Sequence, residues 1–539
     1  MGGPAFSILI PTADPDRSSF TAAIASVTSQ IFCRWEVVVC DSGSRTNVVV
    51  EVLDASGIPD TKLRYIRLEH NVGIGAATDI ALRAASGSWI SFLDHDDLLS
   101  PDALLRVANL IDRQPWLRFV YSDEDKIDEA GRRFWPHFKP DWNEDQLLST
   151  NYITHLVACE RGVALACGGV RTGFDGAQDW DFALRATERL QPREIGHIPY
   201  VLYHWRSSAQ STAGDIDAKP GVREAQRRVL ESTLLRRQIK ARVESTQWTW
   251  RSIRALPKLP AVSLIIPTRD QADLLRICVA AVRSNTDYPD VEIIIVDNGS
   301  SQPDARALLD EMQKWPDVRV LDAPGKFNFA ELCNRGAVEA RGDLIVLLNN
   351  DVEPLHPDWL LELASQASRP DVGAVGALLR YPDGRLQHVG IILGINGTTH
   401  HAFRGYPADW PGINGRLRAV QEVSAVTGAC LTVRRDRYLA VGGCNEAFAI
   451  SHNDVDLCLR LAERGWKTIW TPFSELTHHE SASRGFSYDP EQEEVLARES
   501  ALFRERWRDR VDTDPFYNPN LAAQGVAFSL AFPPRLPDV

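Results

Sequence analysis

Ser7-Ile8-Leu9-Ile10-Pro11-Thr12 recurs, almost letter for letter, as Ser263-Leu264-Ile265-Ile266-Pro267-Thr268. Val37-Val38-Val39-Cys40-Asp41-Ser42-Gly43-Ser44 recurs as Ile293-Ile294-Ile295-Val296-Asp297-Asn298-Gly299-Ser300, at the same offset of 256 positions (263 − 7 and 297 − 41). A repeat this long is not a solenoid unit, so the chain reads as two copies of one domain, each with its own site. Length agrees: 539 residues exceed what one core organises.

Working outward, the first copy predicts strands at Phe6 to Ile10 (stopped by Pro11), Glu36 to Cys40, Leu63 to Leu68 and Trp89 to Leu93, with helices at Ser19 to Ile31 and Ala76 to Ala85. The second predicts strands at Ser263 to Ile266, Glu292 to Val296, Val318 to Leu321 and Leu344 to Leu348, with a helix from Phe329 to Ala340. Short apolar strands alternating with helices imply a parallel sheet covered on both faces. Ligands of such sheets bind beyond the strands' carboxyl ends, where Asp41 and Asp297 stand.

Bulk properties narrow the class. Hydrophobic content of 44% and charged content of 24% are globular, and a net charge of −13 argues against nucleic acid as the partner. No apolar run is long enough to span a bilayer, and the N-terminus reads as neither a signal peptide nor a myristoylation site. Nine scattered cysteines without a C-x-x-C pair read as reduced thiols of the cytosol. Between the repeats, Lys219 to Arg242 reads as a basic helical connector. Its arginines form either a solvated face or a contact for anionic lipid. The Pro- and Asn-rich tail from Val511 is expected to wrap the second domain irregularly.

Two acidic clusters carry the chemistry. The strand ending at Leu93 runs into Asp94-His95-Asp96-Asp97, and carboxylates so close repel unless a cation lies among them. Mg²⁺ is typically held by one or two carboxylates together with substrate phosphates. The matching segment is Asn349-Asn350-Asp351, where Asp351 alone keeps the charge. Further on, Gln178-Asp179-Trp180-Asp181 and Asn453-Asp454-Val455-Asp456 open amphipathic helices. Asp179 and Asp454 suit a general base facing a diphosphate, or simply a helix cap. Asp181 and Asp456 suit i,i+4 pairs with Arg185 and Arg460. His204 lies 25 residues after Asp179, and His478 lies 24 after Asp454 (204 − 179 and 478 − 454). Either histidine suits a ligand completing the shell begun at Asp96 or Asp351, or a structural role.

These motifs, in this order and in both copies, resemble family 2 glycosyltransferases over about 1–215 and 259–510. The second copy, through His478-His479-Glu480-Ser481-Ala482-Ser483-Arg484-Gly485, is similar to enzymes of bacterial O-antigen, capsule and rhamnan assembly. The resemblance implies an α/β chain of two tandem GT-A domains, Rossmann-like, with mostly parallel central sheets. It implies a division into 1–215, a connector 216–258, a second domain 259–510 and a tail 511–539. It also implies nucleotide-sugar donors, with Pro11, Asp41, Asp94, Pro267, Asp297 and Asn349 at the donor nucleotide. Mg²⁺ or Mn²⁺ would be held by Asp94, Asp96 and His204 in one copy and by Asp351 and His478 in the other. Asp179 and Asp454 would be the catalytic bases of an inverting displacement onto a glycan or lipid-linked glycan. Such an enzyme would be cytoplasmic or peripheral at the inner membrane. Both copies depart from the family's Glu-Asp pair, having Gln178-Asp179 and Asn453-Asp454.

Three features leave room for other readings. Gly73-Ile74-Gly75 hints at a dinucleotide fold, but it follows the acidic residue where a fingerprint would precede it. One domain could be only an acceptor-binding or scaffolding module. His388, His400, His401, Trp180, Trp205 and Trp410 could line acceptor grooves or serve the core.

Overall fold

A computed structural model of the chain describes residues 5–207, 221–479 and 490–538; Glu480 to Gly485, part of the resemblance, fall outside them. Each repeat builds one sheet, and the two follow the same strand order. In the first, Leu63–Leu68, Trp35–Ser42, Phe6–Thr12 and Trp89–Phe92 lie parallel. Val157–Glu160 enters antiparallel, then Phe119–Ile127, Ile195–Arg206 and the edge strand Leu98–Leu99 complete the sheet. The second sheet runs Val318–Asp322, Val291–Asp297, Val262–Thr268, Leu344–Leu348, Cys430–Arg434, Val372–Arg380, Lys467–His478 and Val352–Pro354. The sheets are thus parallel at one end and mixed at the other.

Strand Phe6–Thr12 is buried along its whole length. Leu9 joins the core on one face while Ile8 and Ile10 join the core on the other, as the two-residue alternation of a strand requires. Pro11 does not end this strand as expected. Beyond Leu9 the strand is paired on one side only, at Pro11 with Cys40, where an imide lacking N–H is tolerated. The next helix, Arg17–Thr28, begins two residues before its expected start because Asp16 caps it by accepting from the Ser19 N–H at 2.9 Å.

The connector is a helix, Val222–Arg236, followed by a hairpin of Ala241–Ser245 and Trp250–Arg254. Ala225, Val229, Leu230 and Trp250 are buried in the first domain's core. The arginines of the helix are engaged: Arg227 pairs with Glu224 and Glu231, Arg236 with Glu188, and Arg237 with Glu144 and Glu188. The tail also does more than wrap the second domain. Val511, Tyr517 and Leu521 join the second domain's core. Asn518 then donates to Asp123 Oδ2 and the Lys139 carbonyl of the first domain, and Asn520 donates to the Pro199 carbonyl.

A polar seam joins the two domains. Arg369 makes a two-pronged contact with Asp145, 2.5 and 3.0 Å, with both side chains buried. Lys467 Nζ lies 3.0 Å from Glu144, and the Asn143 amide donates to the Glu422 carbonyl while accepting from its N–H. Burial would raise the Asp145 pKa, but Arg369 and Lys467 hold it well below the usual carboxylate range. Removing one partner of such a pair strands a charge in the interior. Arg369→Ala should therefore lose about 3–5 kcal/mol of stability, read as a lower denaturation midpoint. The double replacement of Asp145 and Arg369 by leucine should lose less than the single change.

Candidate functional site

The carboxyl ends of the central strands gather the predicted residues. Asp41 Oδ1 accepts from the Ser44 N–H and Oδ2 from the Tyr65 hydroxyl. Asp297 Oδ1 likewise accepts from the N–H and hydroxyl of Ser300. Both aspartates are buried, and each braces its own turn. Gly43 needs its positive φ of 71° there, and a Cβ would fall 2.5 Å from the His70 backbone. Pro11 and Pro267 lie in the neighbouring strand, opposite Cys40 and Val296.

In the first domain the potential ligand atoms of Asp94, Asp97 and His155 lie within 4.8 Å of one another. This group contains neither Asp96 nor His204. His204 Nδ1 instead faces Asp125 Oδ1 at 2.6 Å, and Asp125 also binds Arg133. Asp97 is buried, accepting from the Tyr203 hydroxyl at 2.6 Å and the Arg206 N–H at 2.7 Å. Burial and the charges of Asp94 and Asp96 push its pKa well up. Asp96 is raised too, by burial and by Asp94, and its carbonyl accepts from Arg206 Nε.

His155 was not anticipated. Its Nδ1 lies 3.1 Å from Glu124 Oε2, and its ring stacks on Tyr203 with centroids 4.4 Å apart. The preceding Thr154, β-branched, has a φ of 37°, and its hydroxyl donates to Glu124 Oε1 at 2.7 Å. Glu124 therefore fixes both the backbone and the ring of this loop. Burial alone would lower the His155 pKa, but Glu124, Asp94 and Asp97 raise it to about 9. Burial alone would raise Glu124, but Lys139, His137 and His155 hold it well below its usual range. The signal available in the sequence was the run Asp123-Glu124-Asp125, three consecutive acids in the strand that opens with the apolar Phe119-Val120-Tyr121. All three are buried, which obliges buried cations beside them.

The second domain arranges the same chemistry differently. His478 Nδ1 lies 2.6 Å from Gln387 Oε1, so the ring proton belongs there and Nε2 carries a lone pair. That Nε2 accepts from Asn349 Nδ2 at 3.3 Å and faces Asp351 Oδ1 at 3.2 Å. Asp351 Oδ1 is buried and receives no hydrogen bond. Two lone-pair atoms facing each other, one of them an orphaned carboxylate oxygen, fit a divalent cation. In the first domain the set of two carboxylates and an imidazole oriented by a carboxylate fits one as well.

His204 and His478 are not counterparts. Leu98 and Leu99 pair with His204 and Tyr203, whereas Val352, Glu353 and Pro354 pair with His478, Thr477 and Leu476. Leu98 stands two residues after Asp96 and Glu353 two after Asp351 (98 − 96 and 353 − 351), so Leu98 matches Glu353. His204 therefore matches Thr477, and Trp205 matches His478.

Asp179 and Asp454 each occupy the second position of a helix, Gln178–Thr187 and Asn453–Glu463, and neither is the cap. Asp179 accepts from Asn151 Nδ2 at 2.8 Å, and its side chain reaches solvent. Surrounding protein and the charge of Asp94 raise its pKa, partly offset by His155. Asp454 accepts from the Gly428 N–H at 2.8 Å. The loop before it is clamped from outside: the buried Glu499 carboxylate accepts from the N–H groups of Ala449, Ile450 and Ser451. Asp181 and Asp456 are buried and paired with Arg185 and Arg460.

His388 is buried between His401 and the Thr427 N–H. Its pKa is well below the usual range through burial and its histidine neighbours. His400 lies in the hairpin of Ile391–Leu393 and Thr399–His401. Trp180 is buried, and Trp410 packs against Phe403 and Tyr406.

The model of the family described as "Glycosyl transferase family 2" matches residues 7–167 and 263–420. An uncharacterized protein of Sinorhizobium fredii is 41% identical over 98% of this chain and 59% of its own length. The O-antigen biosynthesis protein RfbC of Myxococcus xanthus is 36% identical over 96% of this chain and 40% of its own. An N-acetylglucosaminyl-diphospho-decaprenol L-rhamnosyltransferase of Mycobacterium tuberculosis is 30% identical over 38% of this chain and 72% of its own. The chain thus spans about half the length of the first two relatives. With the family's domain matched twice, and with two sheets of one topology carrying acidic clusters at the same strand ends, this chain belongs to glycosyl transferase family 2.

Proposed function

We propose that the chain is a bifunctional, metal-dependent, inverting glycosyltransferase that builds a bacterial cell-surface glycan such as O-antigen or capsule. The observation that carries this reading is the pair of cation-fitted clusters, each at the end of the same central strand and each in a domain that also carries a helix-borne aspartate. In the first domain Asp179 lies close enough to Asp94 and His155 for both to act on its pKa. The functional units are 1–215 and 259–510, with 216–258 and 511–539 joining them. Donors are nucleotide-diphosphate sugars; the acceptor is a glycan, free or lipid-linked, met at the cytoplasmic face of the membrane. Among the described residues no helix is long and apolar enough to cross a bilayer.

In each domain the turn braced by Asp41 or Asp297, with Pro11 or Pro267 beside it, forms the nucleotide end of the cleft. Asp94, Asp97 and His155 would hold Mg²⁺ or Mn²⁺ in the first domain, with Asp96 beside them. Asp351, His478 and the Asn349 amide would do so in the second. A cation bound there supplies charge stabilisation for the departing nucleoside diphosphate. Asp179 and Asp454 take the proton of an acceptor hydroxyl as its oxygen bonds to the anomeric carbon and the bond to the diphosphate oxygen breaks on the opposite face.

A screen of nucleotide sugars for nucleoside diphosphate release, with Mg²⁺ or Mn²⁺ and with EDTA, tests the reading; EDTA should abolish release. Asp179→Asn and Asp454→Asn should each lower one transfer by about 10²–10⁴-fold and leave the other untouched. A variant without effect would assign its domain to acceptor binding or scaffolding. Independently of turnover, Gln387→Ala should weaken Mn²⁺ binding at the second site by about 10–100-fold, measured by titration on an Asp94→Asn background.

A further inference from the structure

We infer that the first domain carries an acceptor-sugar platform built on Trp135, a reading that rests on the proposed glycosyl transfer. Trp135 stands on the strand Arg133–His137 with 65% of its surface exposed and a φ of 50°. A bulky residue with left-handed backbone is an outlier that persists only where surrounding structure or function holds it. From Trp135 an unbroken line of contacts leads to the site. Lys126 Nζ lies 5.5 Å from the Trp135 ring and 5.3 Å from the Trp205 ring. The Trp205 ring in turn lies 5.6 Å from that of His155, a member of the ligand cluster.

The sister domain shows what this face needs. Trp135 lies two residues before His137, which pairs with Glu124; Leu386 lies two residues before His388, which pairs with Leu379. Leu386 is therefore the counterpart of Trp135, and it is only 1% exposed. The second domain has an insertion of about 20 residues between its acidic cluster and its helix-borne aspartate (454 − 351 = 103 against 179 − 96 = 83), and it covers Leu386, whose N–H donates to the Tyr406 carbonyl while the Gly405 N–H donates to the Leu386 carbonyl. Phe403, Tyr406 and Trp410 pack together in that cover. The first domain lacks the insertion and presents tryptophan in its place.

A pyranose ring suits this open face. Its C–H face stacks on indole while its hydroxyls meet the charged rim, and an indole offers large rigid area at low entropic cost. An anionic membrane suits it less, because the neighbouring arginines are spent: Arg132 pairs with Asp128 and Arg133 with Asp125. The platform would hold a sugar of the acceptor on the surface that leads through Lys126 and Trp205 to His155.

Saturation-transfer NMR on the full chain tests this, using the methyl glycosides of glucose, galactose, mannose, rhamnose and N-acetylglucosamine with Mg²⁺. Calorimetry with UDP, GDP and dTDP runs in parallel, together with sedimentation with phosphatidylglycerol vesicles. At least one glycoside should receive saturation, strongest on the C–H groups of one ring face. Trp135→Ala should cut that transfer at least fivefold, Trp135→Phe should keep most of it, and both should bind nucleotide as the parent does. Transfer unchanged in Trp135→Ala overturns the platform, as does a parent that binds a nucleotide but none of the glycosides; either result leaves glycosyl transfer standing. Failure of every nucleotide to bind overturns the donor reading instead, and the glycoside result then judges the platform alone. Vesicle binding that depends on Trp135, without glycoside binding, overturns the platform in favour of a membrane contact.

Discussion

Negative charge crowded at the end of one central strand is the constraint around which each domain is arranged. In the first, Asp94, Asp96 and Asp97 share a few ångströms, and burial with mutual repulsion raises the pKa values of Asp96 and Asp97. In the second, neutral amides at Asn349 and Asn350 relieve the crowding, yet Asp351 keeps a buried oxygen with no donor. Neither arrangement is comfortable for a protein alone. Much of the surrounding structure tempers it: Tyr203 and the Arg206 N–H on Asp97, Glu124 behind His155, Gln387 behind His478.

The two halves tell how far local pattern carries. Strand and helix positions followed from apolar runs and Gly-Pro punctuation, and the acidic clusters followed from their place at strand ends. What failed was counting across a loop. The connection from the base-bearing helix to the late strand is two residues shorter in the second domain, since Trp205 lies 26 after Asp179 and its counterpart His478 lies 24 after Asp454 (205 − 179 and 478 − 454). Near-equal spacing thus aligned His204 with the wrong residue. Because strand neighbours face opposite sides, a slip of one position turns a candidate ligand into the partner of Asp125. His155 escaped notice for another reason: its role depends on Glu124 in a different strand and on backbone geometry at Thr154, and neither leaves a local periodicity.

The helical connector and the wrapping tail expected from the sequence are also structural members of the cores. Helix Val222–Arg236 closes the first core, and the tail belongs to the second core before it bonds Asp123 of the first domain. Asp123 adjoins Glu124, so the tail's anchor lies one residue from the carboxylate that orients His155. Together with Asp145 and Arg369, these contacts make the domains a single unit on which two clefts keep a defined separation.

The asymmetry between the clefts then has a consistent physical shape. The second domain draws its imidazole from the late strand, supports it with an amide, and seals the neighbouring face with its own insertion. The first places a tryptophan at the late-strand position, takes its imidazole from the loop after Asn151, supports it with a carboxylate and leaves the face open at Trp135. A carboxylate behind an imidazole strengthens it as a donor more than an amide does, which suits the cation proposed for the first cleft, where Asp97 is buried and already hydrogen-bonded. Moving the imidazole to the loop also frees the late strand to present an aromatic ring, and that ring joins the site to the exposed surface. Between the two halves the carboxylates of Asp41 and Asp297, Asp96 and Asp351, and Asp179 and Asp454 recur, whereas Asp94 and Asp97 give way to Asn349 and Val352, so each cleft assembles its cluster from different positions.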